Sequence, residues 1–312
     1  MLSGSSASSI PPICDAHVHF WTTNTHQWLE TVRDPAHAFH RFSPLARTYA
    51  PNTYLSDMEG LEVKEAVYIQ ANMHALGGFT PIEEVAWVSG IADGATGMLD
   101  VAIVGYADAT DPEEFRRVTT ACKQRYPLRY RGVRFMLDYH PERKELCQTD
   151  SPDHMKNPKV VETVRFLGSE GLTFDLQVCQ CQLKEAALFA HACPDTQILL
   201  NHAGFPLRGA FDEWSAMMSD LATEPNVAVK MGGFGAYDDC PFTAEETKIY
   251  VARCIELFGV DRCFFSSNLP VDLVDVSRPA DRWEAFAAAV AHLPAEDQRK
   301  LFRDNARRYY SI

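Results

Sequence analysis

Eight short runs rich in β-branched and aromatic residues recur along the 312-residue chain, with helical patterns between them. They are ICDAHV (13–18), EAVYIQA (65–71), LDVAIVGYA (99–107), YRGVRFM (130–136), LTFDLQV (172–178), QILLNH (197–202), VAVKMG (227–232) and RCFFSS (262–267). Apolar residues three to four apart predict helices over about 55–62, 81–92, 111–125, 157–170, 182–192, 211–224, 243–258, 280–292 and 295–309. In TDPEEF, Thr110 or Asp111 has the chemistry of a helix cap. Strands that alternate with helices build a parallel sheet. Eight such units in a chain of this length predict an α/β fold, a single-domain (β/α)8 TIM barrel, over a doubly wound open sheet. The open sheet calls for a Gly-rich phosphate turn after an early strand. GGFGAYDD (232–239) comes too late for that role, and no acidic residue follows a strand at the required offset. The barrel domain is expected over 12–312 and a flexible tail over 1–11. MLSGSSASSI has neither the basic n-region nor the apolar h-region of a signal peptide.

Charge narrows the partners. The net charge is −13 and there is no basic run, which argues against nucleic acid and anionic membranes. No apolar run approaches the length of a membrane span. A small-molecule substrate is the expected partner, and a homo-oligomer stays open. The nine cysteines are odd in number and contain no C-x-x-C pair. They read as buried reduced thiols of a cytoplasmic protein. Cys179 and Cys181 in QVCQCQ are expected on one face of a strand, which suits them poorly to a disulfide with each other.

Two connections are unusually long. One follows strand 1, over 20–54, and carries Trp21, Trp28, Phe39, Phe42, Tyr49 and Tyr54; the other follows strand 4, over 137–156. Both leave the C-terminal ends of strands, where barrel enzymes build their active sites. A lid over a small organic substrate is one expectation, and packing against a neighbouring subunit is the other. Polar residues gather at the same strand ends: His17 and His19, Gln70 with Asn72 and His74, Arg134, Gln177, Asn201 and His202, Lys230, and Ser267 and Asn268, with Asp272 just beyond. Polar side chains in apolar runs are costly to bury without partners, so their recurrence marks a site at the barrel mouth. Alternation places His17 and His19 on one face, about 7 Å apart along the strand. That spacing serves a metal, a proton-transfer pair or a hydrogen-bonding clamp.

The ordered set CDAHVHFW, FDLQVCQCQLKEAALFAHACPDTQILLNHAGFP, NVAVKMGG, RCFFSSNLPVD and NARRYY is similar to the amidohydrolase-related family, in its branch of sugar lactonases and 2-pyrone-4,6-dicarboxylate lactonases. The resemblance runs over about residues 12–310. It implies a barrel hydrolase that opens a lactone. It also implies that His17, His19 and His202 either hold one divalent metal, zinc first, or clamp the substrate carbonyl as in metal-free members. The family's strand-8 motif usually supplies an aspartate that takes a proton from water; here the position is Asn268. An amide is no general base and is a poorer metal ligand. Either Asp272 supplies the carboxylate, or Asn268 orients water while a histidine moves the proton.

In the expected mechanism His17, His19 and Arg134 face the carbonyl oxygen, and Gln70, Gln177, Lys230, Trp21 and His74 bind substrate. Arg134 also suits a substrate carboxylate, and Lys230 a structural ion pair. Two other classes remain open. One is a lactone isomerase or aromatic-acid decarboxylase on the same barrel, the second of which would want a strand-8 carboxylate. The other is a non-catalytic binding protein, against which the retained histidines stand.

Overall fold

The eight runs are eight parallel strands paired in chain order: β1 (Ile13–Val18), β2 (Val63–Ile69), β3 (Asp100–Gly105), β4 (Tyr130–Met136), β5 (Thr173–Gln177), β6 (Ile198–Leu200), β7 (Val227–Met231) and β8 (Cys263–Phe265). The computed structural model describes residues 10–37, 40–76, 78–95, 97–237, 241–274, 276 and 278–312. Up to residue 9, the expected tail lies outside the described residues, and so does Phe39. The sheet closes on itself where β1 meets the segment after β8. There Asn268 N donates to the His17 carbonyl at 2.9 Å, and His19 N to the Leu269 carbonyl at 2.7 Å.

Helices fill the connections: α1 (Trp28–Thr31), α2 (Pro51–Asp57), α3 (Pro81–Asp93), α4 (Pro112–Arg125), α5 (Pro158–Ser169), α6 (Leu183–Ala192), α7 (Phe211–Ala222), α8 (Ala244–Phe258), α9 (Pro279–Val290), α10 (Ala295–Arg299) and α11 (Asn305–Tyr310). Their starts follow from sequence chemistry. Thr80 with Glu83, and Thr243 with Glu246, form reciprocal capping boxes at α3 and α8. Asp111 caps α4 by accepting from Glu114 N. Proline stands in the first turn of α2, α3, α4, α5 and α9, where its missing N–H costs nothing. The helix expected over 55–62 lies earlier, at Pro51–Asp57, because Pro51 opens it and Gly60, at φ +89°, follows its end. The final expected helix, 295–309, is one helical run widened to π-type turns over Lys300–Asp304. Cys179 and Cys181 do not share a strand face. β5 stops at Gln177 and Gln180–Gln182 forms a 3-10 turn, so Cys179 is buried and Cys181 exposed.

The barrel interior is packed rather than hollow. Val67, Ile69, Ala102, Val104, Leu199 and Phe264 meet inside it, and Ala306 and Tyr310 of α11 plug its lower end. Burial of that apolar surface stabilises the barrel by roughly 25 cal/mol per Å². Among the described residues no helix is long and apolar enough to cross a membrane.

Candidate active site

Both long connections reach a cavity of about 610 Å³ at the C-terminal ends of the strands. The first contributes Trp21, Trp28 and Phe42, the second Arg143 and Leu146. Tyr49 and Tyr54 of the first connection pack in the core instead. The pairing of β1 with β2 slips between Asp15 and Val18. Cys14 and Ala16 face the barrel core, and after the slip His17 and His19 face the mouth; a bulge of this kind re-aims side chains. Asp15 anchors the strand below them, accepting from Ser267 N at 2.8 Å and Tyr54 Oη at 2.9 Å.

His17 Nε2 and His19 Nε2 lie 3.2 Å apart. The Ile69 carbonyl, 2.8 Å from His19 Nδ1, can only accept, so that nitrogen carries the proton and Nε2 the lone pair. His17 Nδ1 is buried with no partner. His202 Nδ1 donates to the Gly232 carbonyl at 3.2 Å, which leaves its Nε2 as the lone-pair nitrogen. The His202 ring is 4.5 Å from that of His17, centroid to centroid. Burial, with Lys230 and Arg134 nearby, pushes His202 down to about 3. Burial holds His17 and His19 far below the usual imidazole range too, with His202 and Lys230 acting on the first and Arg134 on the second. All three rings are neutral across the ordinary pH range; His17 donates its Nε2 proton to His19 Nε2, and His202 Nε2 is an acceptor.

Arg134 lines the cavity, donating to Gln177 Oε1 at 2.8 Å and to the Gln70 carbonyl at 2.6 Å. Its Nε, and the Nε2 of Gln70, are buried with no partner. Gln177 Nε2 donates to Asp138 at 2.9 Å, and Tyr237 Oη donates to the other oxygen of Asp138 at 2.8 Å. Burial raises Asp138 to about 6.

Not every expected residue reaches the cavity. His17 stands behind His19, fully buried. Lys230 is buried in an ion pair with Asp175, which also accepts from Tyr310 Oη at 2.8 Å. His74 stacks on Tyr106, 4.0 Å between centroids, and approaches Glu84 at 3.8 Å. Asp272 takes the side-chain N–H of Asn268 at 2.7 Å and pairs with Arg282 at 2.8 Å. Asn268 therefore faces the cavity and Asp272 stands behind it.

Several left-handed residues ring the same mouth: Asn72 after β2, His202, Ala203 and Phe205 after β6, and Asn268 after β8. Each costs on the order of 1–3 kcal/mol and persists only where the surroundings fix it, as at functional sites. Gly233 makes the His202 position available, because a Cβ there would come 2.4 Å from His202 Nδ1.

Zinc fits this donor set only in part. Two Nε2 atoms 3.2 Å apart match the edge of a zinc tetrahedron, about 3.3 Å for Zn–N bonds of ~2.0 Å. Neither Asn268, an amide, nor Asp272, engaged by Arg282, adds an anionic ligand to these histidines. Among the described residues no three His, Cys, Asp or Glu side chains form a metal-holding group. The residues present do not complete a zinc site.

Sequence reading missed Asp138, Asp175, Phe205 and Tyr237. Asp138 had a signal: it continues the period-two face of Arg134 and Met136 beyond β4. Asp175, an acid inside LTFDLQV, had one as well. Tyr237 lies in the Gly-rich turn after β7 and had none.

Known proteins share this architecture. An uncharacterized protein, y4mH, of Sinorhizobium fredii is 31% identical over 304 residues, covering 96% of this chain and 98% of that protein. An L-fucono-1,5-lactonase of Burkholderia ambifaria is 23% identical, covering 96% of this chain and 95% of the lactonase. A crystal structure of an amidohydrolase from Burkholderia multivorans with bound zinc superposes with a TM-score of 0.75 at 20% identity, over 96% of this chain and 99% of that one. The family model described as amidohydrolase, Amidohydro_2, matches residues 14–312, which shows that the chain belongs to the amidohydrolase family.

Proposed function

We propose that this chain is a hydrolase that opens a lactone, the cyclic ester of a small sugar acid or of an aromatic-derived acid, by attack of water. The observation that carries the reading is the convergence of His19, His202, Arg134 and Asn268 on one cavity. Similarity to the Burkholderia lactonase supports it. His202 Nε2 takes a proton from the attacking water. Its neutral ring is a weak base in the free protein, and negative charge growing on the substrate beside it strengthens it in the transition state. Arg134 stabilises that charge on the carbonyl oxygen, held in place by Gln177 and the Gln70 carbonyl. Asn268 orients water, its amide fixed by Asp272. Trp21, 5.5 Å from Trp28 between ring centroids, offers the substrate an apolar wall beside His19.

His17, His19 and His202 would hold zinc if it were bound and it would supply a Lewis acid there, but the described residues form no metal-holding group of three. A cytoplasmic location is supported by the free thiols among the described residues. The test is a panel of sugar and aromatic lactones, read as release of the hydroxy acid. Unchanged hydrolysis by His202→Ala would overturn the assignment.

A further inference from the structure

Opening a lactone needs an acid as well as a base, because the departing ring oxygen must gain a proton. The carboxylates nearest the strand-8 position do not supply one. Asp272 is engaged by Arg282, and the imidazoles hold no extra proton until His202 takes one from the attacking water. Among the described residues, Tyr237 is the hydroxyl-bearing aromatic residue on the cavity wall. Its ring stacks on Phe205 at 4.0 Å, and Phe205 lies 4.6 Å from the His202 ring, so the phenol shares a wall with the base. Arg143 Nη2 fixes its carbonyl at 3.0 Å. Its hydroxyl meets Asp138, which is fully buried and held on its other oxygen by Gln177.

We propose that Tyr237, held by Asp138, is the acid that hands a proton to the departing ring oxygen; this rests on the lactone reading above. With Asp138 protonated, its carboxyl donates to Tyr237 Oη and frees the phenol proton to point into the cavity. Burial raises Asp138 to about 6, opposed first by the hydrogen bonds from Tyr237 and Gln177 and last by Arg134, so it is a proton carrier close to neutrality. Among the described residues, Arg143 and the buried thiol of Cys179 are further titratable groups beside the pair.

The step balances. Water gives one proton to His202, and its oxygen forms the new C–O bond. The ring C–O bond breaks with its electron pair going to the ring oxygen. The Tyr237 O–H breaks as the product O–H forms, and the Asp138 carboxyl proton restores the phenol. The proton on His202 returns to Asp138 through solvent.

Tyr237→Phe removes the hydroxyl and keeps the ring stack. On an alkyl six-membered lactone its turnover should fall by ~10²–10⁴-fold, the usual contribution of a positioned acid. On a phenol-derived lactone of the same ring size the leaving group has a pKa of about 10, so the fall should be at least about tenfold smaller. Asp138→Asn keeps a partner for the phenol but removes the proton supply, and should show the same contrast. Equal losses on both lactones, in whichever variant folds, would overturn the assignment of the acid. A wild-type protein that opens neither lactone would overturn the lactone reading instead.

Discussion

The side-chain amide of Asn268 donates to Asp272 at 2.7 Å, and the second carboxylate oxygen of Asp272 meets Arg282 at 2.8 Å. This chain keeps a carboxylate near the strand-8 position but spends it on orienting Asn268 and neutralising a buried arginine.

Asp272→Asn should therefore act mainly on stability. It leaves Arg282 buried without its anion, a loss of the order of 3–5 kcal/mol for a broken buried pair. Denaturant unfolding reads that loss. Turnover of the folded variant should fall by less than tenfold, whereas removing a general base costs ~10²–10⁴-fold. A fall in that larger range would return Asp272 to the proton-transfer machinery.

Acid should destabilise the protein through its buried histidines. His202 is held at about 3 against an ordinary 6.5, so the unfolded chain binds its proton more readily. The contribution of the neutral ring is complete above about 6.5 and is lost as pH falls from there towards 3. His17 and His19 shift in the same direction. Melting temperatures measured from pH 7 down to 4 should drop, and His202→Asn should flatten the slope. Parallel slopes would contradict the buried neutral ring.

Arg134→Met should lower kcat by ~10²–10³-fold, the usual cost of one oxyanion partner. Arg134→Lys should not rescue it, because an ammonium does not span Gln177 Oε1 and the Gln70 carbonyl as the guanidinium fork does. Steady-state kinetics on the best lactone decide this, and full rescue by lysine would contradict the bridging role.

Gly233→Ala forces a methyl group to within 2.4 Å of His202 Nδ1 in a left-handed turn. Activity should fall more than stability, because the displaced group is the base. Near-wild-type kcat in a folded variant would show that the His202 position tolerates movement.

Dialysis against a chelator should leave lactone hydrolysis intact, since among the described residues no three His, Cys, Asp or Glu side chains form a metal-holding group. Elemental analysis beside the kinetics gives the zinc content. Loss of turnover on chelation, restored by stoichiometric zinc, would overturn the metal-free reading.

The barrel was legible in the sequence because its determinants are local. Apolar period, strand composition and caps such as Thr80, Asp111 and Thr243 act within a few residues, and each expected strand formed. His17, His19, Arg134, Gln177 and His202 could be named because polar groups inside apolar runs announce a site. What each group does was decided by tertiary structure. Lys230 and Asp175 are 55 residues apart in sequence, and Tyr237 and Asp138 are 99 apart, so only closure of the barrel pairs them. Asn268 stood in the sequence as an exchange of one residue type for another. Its meaning came from Asp272 and Arg282 behind it, because hydrogen bonds and burial, which set charge and direction, belong to the folded neighbourhood rather than to the residue.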